Sequence, residues 1–127
     1  MMYIFILMKY IMMMLYVALV VLFVLYFYTM TGKHLVSPQK AMDLIDSGVI
    51  TAIVDVRTRT EYNIGHYPGA RNIPVGDIDE ESTSTLPRDG AILVYCNTGQ
   101  RARAAARKLR RLGFEAFYIS CSFTCIM

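Results

Sequence analysis

Charge is almost missing from the start of this 127-residue chain: before Thr29 the one charged side chain is Lys9. Tryptophan is absent altogether, and cysteine occurs three times. The cysteines stand at 96, 121 and 125, an odd number with no paired spacing. That excludes a disulfide framework from the expected architecture, and the step from Cys121 to Cys125 is not the C-x-x-C of redox motifs. Cys121 and Cys125 therefore read as ordinary tail cysteines. No internal repeat is visible. The net charge of +3 is too small to argue for nucleic acid, and no recognition motif accompanies it. No metal and no cofactor are assigned.

What is present divides at about residue 30. Overall 55% of residues are hydrophobic and the mean hydropathy is +0.39, with the excess at the N-terminal end. Ile11 through Tyr28 are eighteen consecutive uncharged residues. As a helix rising about 1.5 Å per residue, they approach the thickness of a bilayer core. Tyr3 to Met8 extend the run, Lys9 can snorkel, and Tyr10, Tyr26 and Tyr28 stand where aromatic belts form. A cleaved signal peptide needs a basic start and a small-residue cleavage site, which Tyr28-Thr29-Met30-Thr31 does not supply. A buried core helix is seldom apolar on every face. The reading is a transmembrane anchor over residues 1–30, meeting the membrane through residues 10–28, then a short linker over 31–36. Lys33 and Lys40 follow the span and only Lys9 precedes it, which leans towards a cytoplasmic C-terminal domain.

Beyond the anchor, strands and helices alternate. Ser37-Pro38 is a helix start, Ser as N-cap and Pro at the first helical position, with Ala41, Leu44 and Ile45 on one face and Gly48 as the stop. Val49 to Val56 reads as a buried strand ending in Asp55-Val56-Arg57. A helical turn is expected around Thr60-Glu61-Tyr62, and Gly65 to Ala70 form a Gly- and Pro-rich loop. Asn72 to Val75 are extended, and Asp77 to Leu86 carry a weak helical pattern. Ala91 to Tyr95 are a second buried strand. Ala102, Ala105, Ala106, Leu109 and Leu112 make one apolar helix stripe that Gly113 ends, and Phe114 to Ser120 are a last strand. This alternation argues for an α/β domain with a parallel sheet.

Cys96 ends the second buried strand. Asn97, Thr98, Gly99 and Gln100 follow, and Arg101 opens the helix. A strand, a tight loop and a helix N-terminus make an anion cradle, in which N–H groups and the helix dipole favour a thiolate. A nucleophilic thiol fits a reducing compartment. Gly99 allows the tight turn, and Arg101 adds a fixed positive charge.

These residues resemble the rhodanese-like (sulfurtransferase) family. The matching pieces are Asp55-Val56-Arg57, Glu61-Tyr62, Gly65 through Pro74, and Tyr95 through Arg101, in that order and spacing; the resemblance runs from about Val36 to Ser120. It implies a three-layer fold, a mostly parallel central sheet flanked by helices, over residues 37–120. It also implies transfer of a sulfane sulfur from a persulfide or thiosulfate donor to a thiol, protein-thiol or cyanide acceptor. Cys96 would be the nucleophile, and Asn97, Thr98, Gly99, Gln100 and Arg101 would hold the anion. Asp55 and Arg57 would support the loop from behind, and Arg57 and Glu61 would pair with each other or with neighbouring loops. His66 would stabilise a turn. The anchor-plus-domain layout is similar to small membrane-tethered rhodaneses. The related dual-specificity phosphatases carry a loop one residue longer, so the length here favours sulfur over a phosphatase or arsenate reductase.

One departure stands out. The family's terminal Gly-Gly turn and its Trp-bearing helix are missing, and residues 121–127 read as a short tail that leaves one face of the sheet less covered. That keeps open a rival reading, a catalytically idle docking module at the membrane. The helix after the thiol loop carries Arg101, Arg103, Arg107, Lys108, Arg110 and Arg111 with no acid. This is a solvated amphipathic face or, alternatively, one that adheres to anionic lipid.

Overall fold

The computed structural model describes residues 1–31 and 34–127. The chain divides into an N-terminal helix and a domain that starts at His34. Helix α1 (Met2–Thr31) is a single run of 30 residues. Its stretch Met2–Tyr28, with a mean hydropathy of 2.5, is long and apolar enough to cross a membrane. Side chains 1–28 are all exposed, including the large apolar ones. The helix is apolar on every side, so it has no polar face to turn to water. Lys33, used above for orientation, lies outside the described residues.

The domain is a four-stranded sheet, β1 (Ile50–Asp55), β2 (Arg71–Asn72), β3 (Ala91–Tyr95) and β4 (Glu115–Tyr118), in the order β2-β1-β3-β4. Every pairing is parallel, in line with the expected parallel sheet. Helix α2 (Pro38–Asp46) starts where the Ser37-Pro38 pair places it, with Ser37 Oγ accepting from the Lys40 N–H. Helix α3 (Arg59–Ile64) begins on a capping box in which the Thr58 and Glu61 side chains satisfy each other's backbone N–H groups. Helix α4 (Gln100–Arg111) buries Ala102, Ala105, Ala106 and Leu109, the stripe read from the sequence.

Strand periodicity sorts β3 between two cores. Ile92, Val94 and Cys96 join the α4 face, with Val54, Ala106 and Leu109. Ala91, Leu93 and Tyr95 join the opposite face, with Ala41, Ile119 and Ile126.

Three expectations change. Asp77 to Leu86 form turns and no helix beyond the short 3-10 segment Val75–Asp77, and Ser and Thr hydroxyls there add bonds to backbone carbonyls, as Thr83 does with Asp79. The linker set at 31–36 ends earlier: Leu35 bridges Tyr118 in parallel, and the Val36 N–H donates to the Tyr118 carbonyl, which covers the edge of β4. The tail is also not loose. A disulfide joins Cys121 to Cys125, contrary to the expectation of two ordinary free cysteines. A 3-10 turn (Phe123–Ile126) then buries Ile126 on the face that was expected to be less covered. The bend at Cys121 and the 3-10 turn that follows bring the two Cα atoms to 6.5 Å, within disulfide reach.

Candidate active site

Cys96 sits at the carboxyl end of β3, a position that open parallel sheets reserve for their sites. Its Sγ accepts the Gly99 N–H at 3.0 Å and the Ala102 N–H at 3.4 Å. Both donors belong to the loop turn and to the first turn of α4, where the helix leaves N–H groups without carbonyl partners. The sulfur fills that vacancy, and the helix dipole adds to its attraction for negative charge. Cys96 is 1% exposed and is the free cysteine of the chain.

The loop can close so tightly because residue 99 is glycine. Gly99 has φ +96°, in the left-handed region. A Cβ built on it would lie 2.7 Å from Ser120 Cα, so the backbone after β4 presses directly on the loop. Asn97, Thr98 and Gln100 are exposed.

Arg101 does not stand free to meet an anion. Its guanidinium donates to both oxygens of Glu61, at 2.8 and 3.0 Å. This fork, together with Thr58, holds the Glu61 carboxyl far below its ordinary range, at about 2, despite some desolvation. Asn97 donates to the same carboxylate at 3.0 Å and accepts from Arg57 at 3.5 Å. Glu61 therefore pairs with Arg101 and not with Arg57, the other partner considered for it.

Arg57 belongs to a buried group on the opposite side of the sheet. Its guanidinium binds Asp55 through three hydrogen bonds, at 2.7, 3.0 and 3.1 Å, and donates to the Gly65 carbonyl at 2.6 Å. Asp55 is fully buried and also accepts the Tyr95 hydroxyl at 2.8 Å. That hydroxyl in turn accepts the Tyr67 N–H. Burial pushes the Tyr95 phenol up, with the Asp55 carboxylate adding to the shift. Phe123 of the tail lies 5.3 Å from the Arg57 guanidinium and 5.8 Å from the Tyr95 ring. A buried ion pair is tolerated only when its remaining hydrogen bonds are met, and here no buried side-chain polar atom among the described residues is unpartnered. His66 is stacked on Tyr62 at 3.7 Å and hydrogen-bonded to the Tyr62 carbonyl.

Sequence reading missed Tyr95, Tyr67 and the Ala102 N–H. For Tyr95 a signal existed: alternation along β3 turns it away from Cys96 and towards the side of Asp55, its register partner. The Thr58–Glu61 capping box was legible as T-x-x-E. The contact of Ser120 with Gly99 had no local signal.

The arrangement defines a class: a parallel α/β domain that presents one cysteine at a strand end, beneath the N-terminus of the next helix. A model of the rhodanese-like domain family matches residues 37–124, and the chain belongs to that family. It is 36% identical over 81 residues to the "Probable adenylyltransferase/sulfurtransferase MoeZ" of Mycobacterium tuberculosis, covering 63% of this chain and 21% of that one. It is 32% identical over 62 residues to the thiosulfate sulfurtransferase PspE of Escherichia coli, covering 48% of this chain and 60% of that one. Among solved structures, the BH2092 protein of Bacillus halodurans superposes with a TM-score of 0.65 at 25% identity, over 81% of this chain and 77% of that one. The human single-domain sulfurtransferase TSTD1 superposes with a TM-score of 0.59 at 26% identity, over 73% and 94%. The chain spans about a fifth of the length of MoeZ.

Proposed function

We propose that this chain is a sulfurtransferase tethered to a membrane by α1, with Cys96 as the carrier of the transferred sulfur. The observation that carries this reading is the pair of N–H groups, from Gly99 and Ala102, converging on Cys96 Sγ at the start of α4. In the first half-reaction the Cys96 thiolate attacks the outer sulfur of the donor. A Cys96–S–S bond forms and the donor's S–S bond breaks. Its electron pair leaves on sulfite when the donor is thiosulfate, or on a thiolate when the donor is a persulfide. In the second half-reaction an acceptor thiolate takes the outer sulfur and returns Cys96 to the thiolate. This is covalent, two-step catalysis, and the N–H donors steady the anion in both states.

Donor preference follows from charge. Arg101 is already matched by Glu61, and Asn97, Thr98 and Gln100 are uncharged. The loop therefore offers little to a dianion. We infer a preference for low-molecular-weight or protein persulfides over thiosulfate, with a protein or small thiol as acceptor. The resemblance to sulfurtransferases and the four residues between Cys96 and Arg101 support sulfur over phosphate chemistry.

The test is mass spectrometry of the full chain in detergent after incubation with glutathione persulfide or thiosulfate. A gain of about 32 Da that cyanide reverses and Cys96→Ser abolishes is expected, with a higher kcat/KM for the persulfide. The burial of Cys96 favours one other reading, a docking module without chemistry. A folded chain that takes up no sulfur from either donor would decide for that reading.

A further inference from the structure

Helix α4 carries a line of cations that the thiol site does not use. Arg103, Arg107 and Arg111 recur every four residues, so they stand one above the other along the helix. All three are exposed. The two ion pairs of the described residues, Asp55–Arg57 and Glu61–Arg101, leave them out. Neighbouring cations have work inside the fold: Lys108 donates to the Val75 carbonyl, Arg110 to that of Ala116 and Arg88 to that of Leu112. No acid on α4 offsets the line, and like charges four apart on a helix repel. At its N-terminal end Gln100, Arg103, Ala104 and Arg107 border a shallow polar depression of about 310 Å3.

We propose that this line is a docking surface for the anionic head groups of a lipid bilayer. Charge complementarity is the first argument. The second is what the surface lacks: its exposed residues are Gln100, Arg103, Ala104, Arg107 and Arg111, with no aromatic or large apolar anchor. A protein partner needs such an anchor in a desolvated pocket for most of its binding energy, whereas a layer of phosphates binds through distributed charge. The third argument rests on reading α1 as the membrane tether proposed above. Only residues 32 and 33 separate α1 from the domain in the chain, and three peptide links span at most about 11 Å. A bilayer crossed by α1 is then always within reach of the domain.

The experiment uses the full chain in vesicles, with Cys96→Ser and a nitroxide on Ala104→Cys, the Cys121–Cys125 disulfide being left oxidised. A water-soluble nickel complex reports the label's exposure. In vesicles containing about 30% phosphatidylglycerol at low salt, exposure should fall roughly two-fold below that in phosphatidylcholine alone, and recover at about 0.5 M salt. The fall should vanish when Arg103→Gln, Arg107→Gln and Arg111→Gln are combined. Equal exposure in the two lipids overturns the inference and leaves the line as the solvated face of α4. Alkaline carbonate extraction of the same vesicles separates the two failures. A chain that washes off refutes the tether and this inference with it. A chain that stays while its label remains exposed refutes this inference alone.

Discussion

Gly99 is the residue on which the thiol loop has least latitude. A side chain there meets both a left-handed backbone and the Cα of Ser120, and backbone cannot swing aside as a long side chain can. Gly99→Ala should lower stability by about 2 kcal/mol or more in urea unfolding of the full chain, and should abolish uptake of sulfur on Cys96. A wild-type midpoint would mean that the Ser120 contact yields freely. Glu61 gives a second prediction, with a defined sign. Its carboxyl titrates near 2 in the folded chain, below the ordinary 4.5, because Arg101 first and Thr58 next bond its charged form. The stability it contributes is present above pH 4.5 and is lost as the pH falls through about 2. The Arg101 and Glu61 side chains are 35% and 29% exposed, so screening keeps the pair to about 0.5–1 kcal/mol. Urea midpoints of wild type and Glu61→Gln should differ near neutral pH and converge in strong acid. A gap that survives acidification would place the effect in packing.

At the scale of elements, the turn after β4 shows how a short segment can close over a buried polar group. Phe123 covers the Asp55–Arg57–Tyr95 group, Ile126 fills the core, and the disulfide holds the turn closed. The cross-link closes a loop of only five residues, so the chain-entropy term comes to about 2 kcal/mol. Combined Cys121→Ser and Cys125→Ser should lower the urea midpoint by a corresponding amount, and reduction of the wild type should reproduce it. An unchanged midpoint under reduction would show that packing alone secures the turn. Most other elements were legible one at a time: Ser37-Pro38 announces α2, the alanine stripe announces α4, and the apolar run at 91–95 announces β3. The disulfide was not, because a Cys-to-Cys step of four has meaning only once the turn that spans it is known.

At the scale of the whole molecule, two observations bear on the side of a membrane to which the proposed tether would hold the domain. Lys33 and Lys40 after the span favour the cytoplasm, and we propose that side. The disulfide is of a kind that persists in oxidising compartments. After mild reduction of intact cells, an impermeant maleimide should label Cys121 and Cys125 only once the cells are lysed. Labelling of intact cells would put the domain outside.

Local pattern was enough to separate an apolar helix from an α/β domain, to set the parallel sheet and to single out Cys96 before a helix start, because periodicity and capping are properties of neighbouring residues. Only the tertiary structure decided what each charge does. Arg101 gained a partner that its own loop does not announce, because the fold brought Glu61, forty positions earlier in the chain, against it. Strand register set the Tyr95 hydroxyl against buried Asp55, the loop brought the Tyr67 N–H to that hydroxyl, and Gly99 acquired its neighbour from beyond β4. Ion pairs, buried hydrogen bonds and close backbone contacts join residues distant in sequence, and no short window of residues contains them.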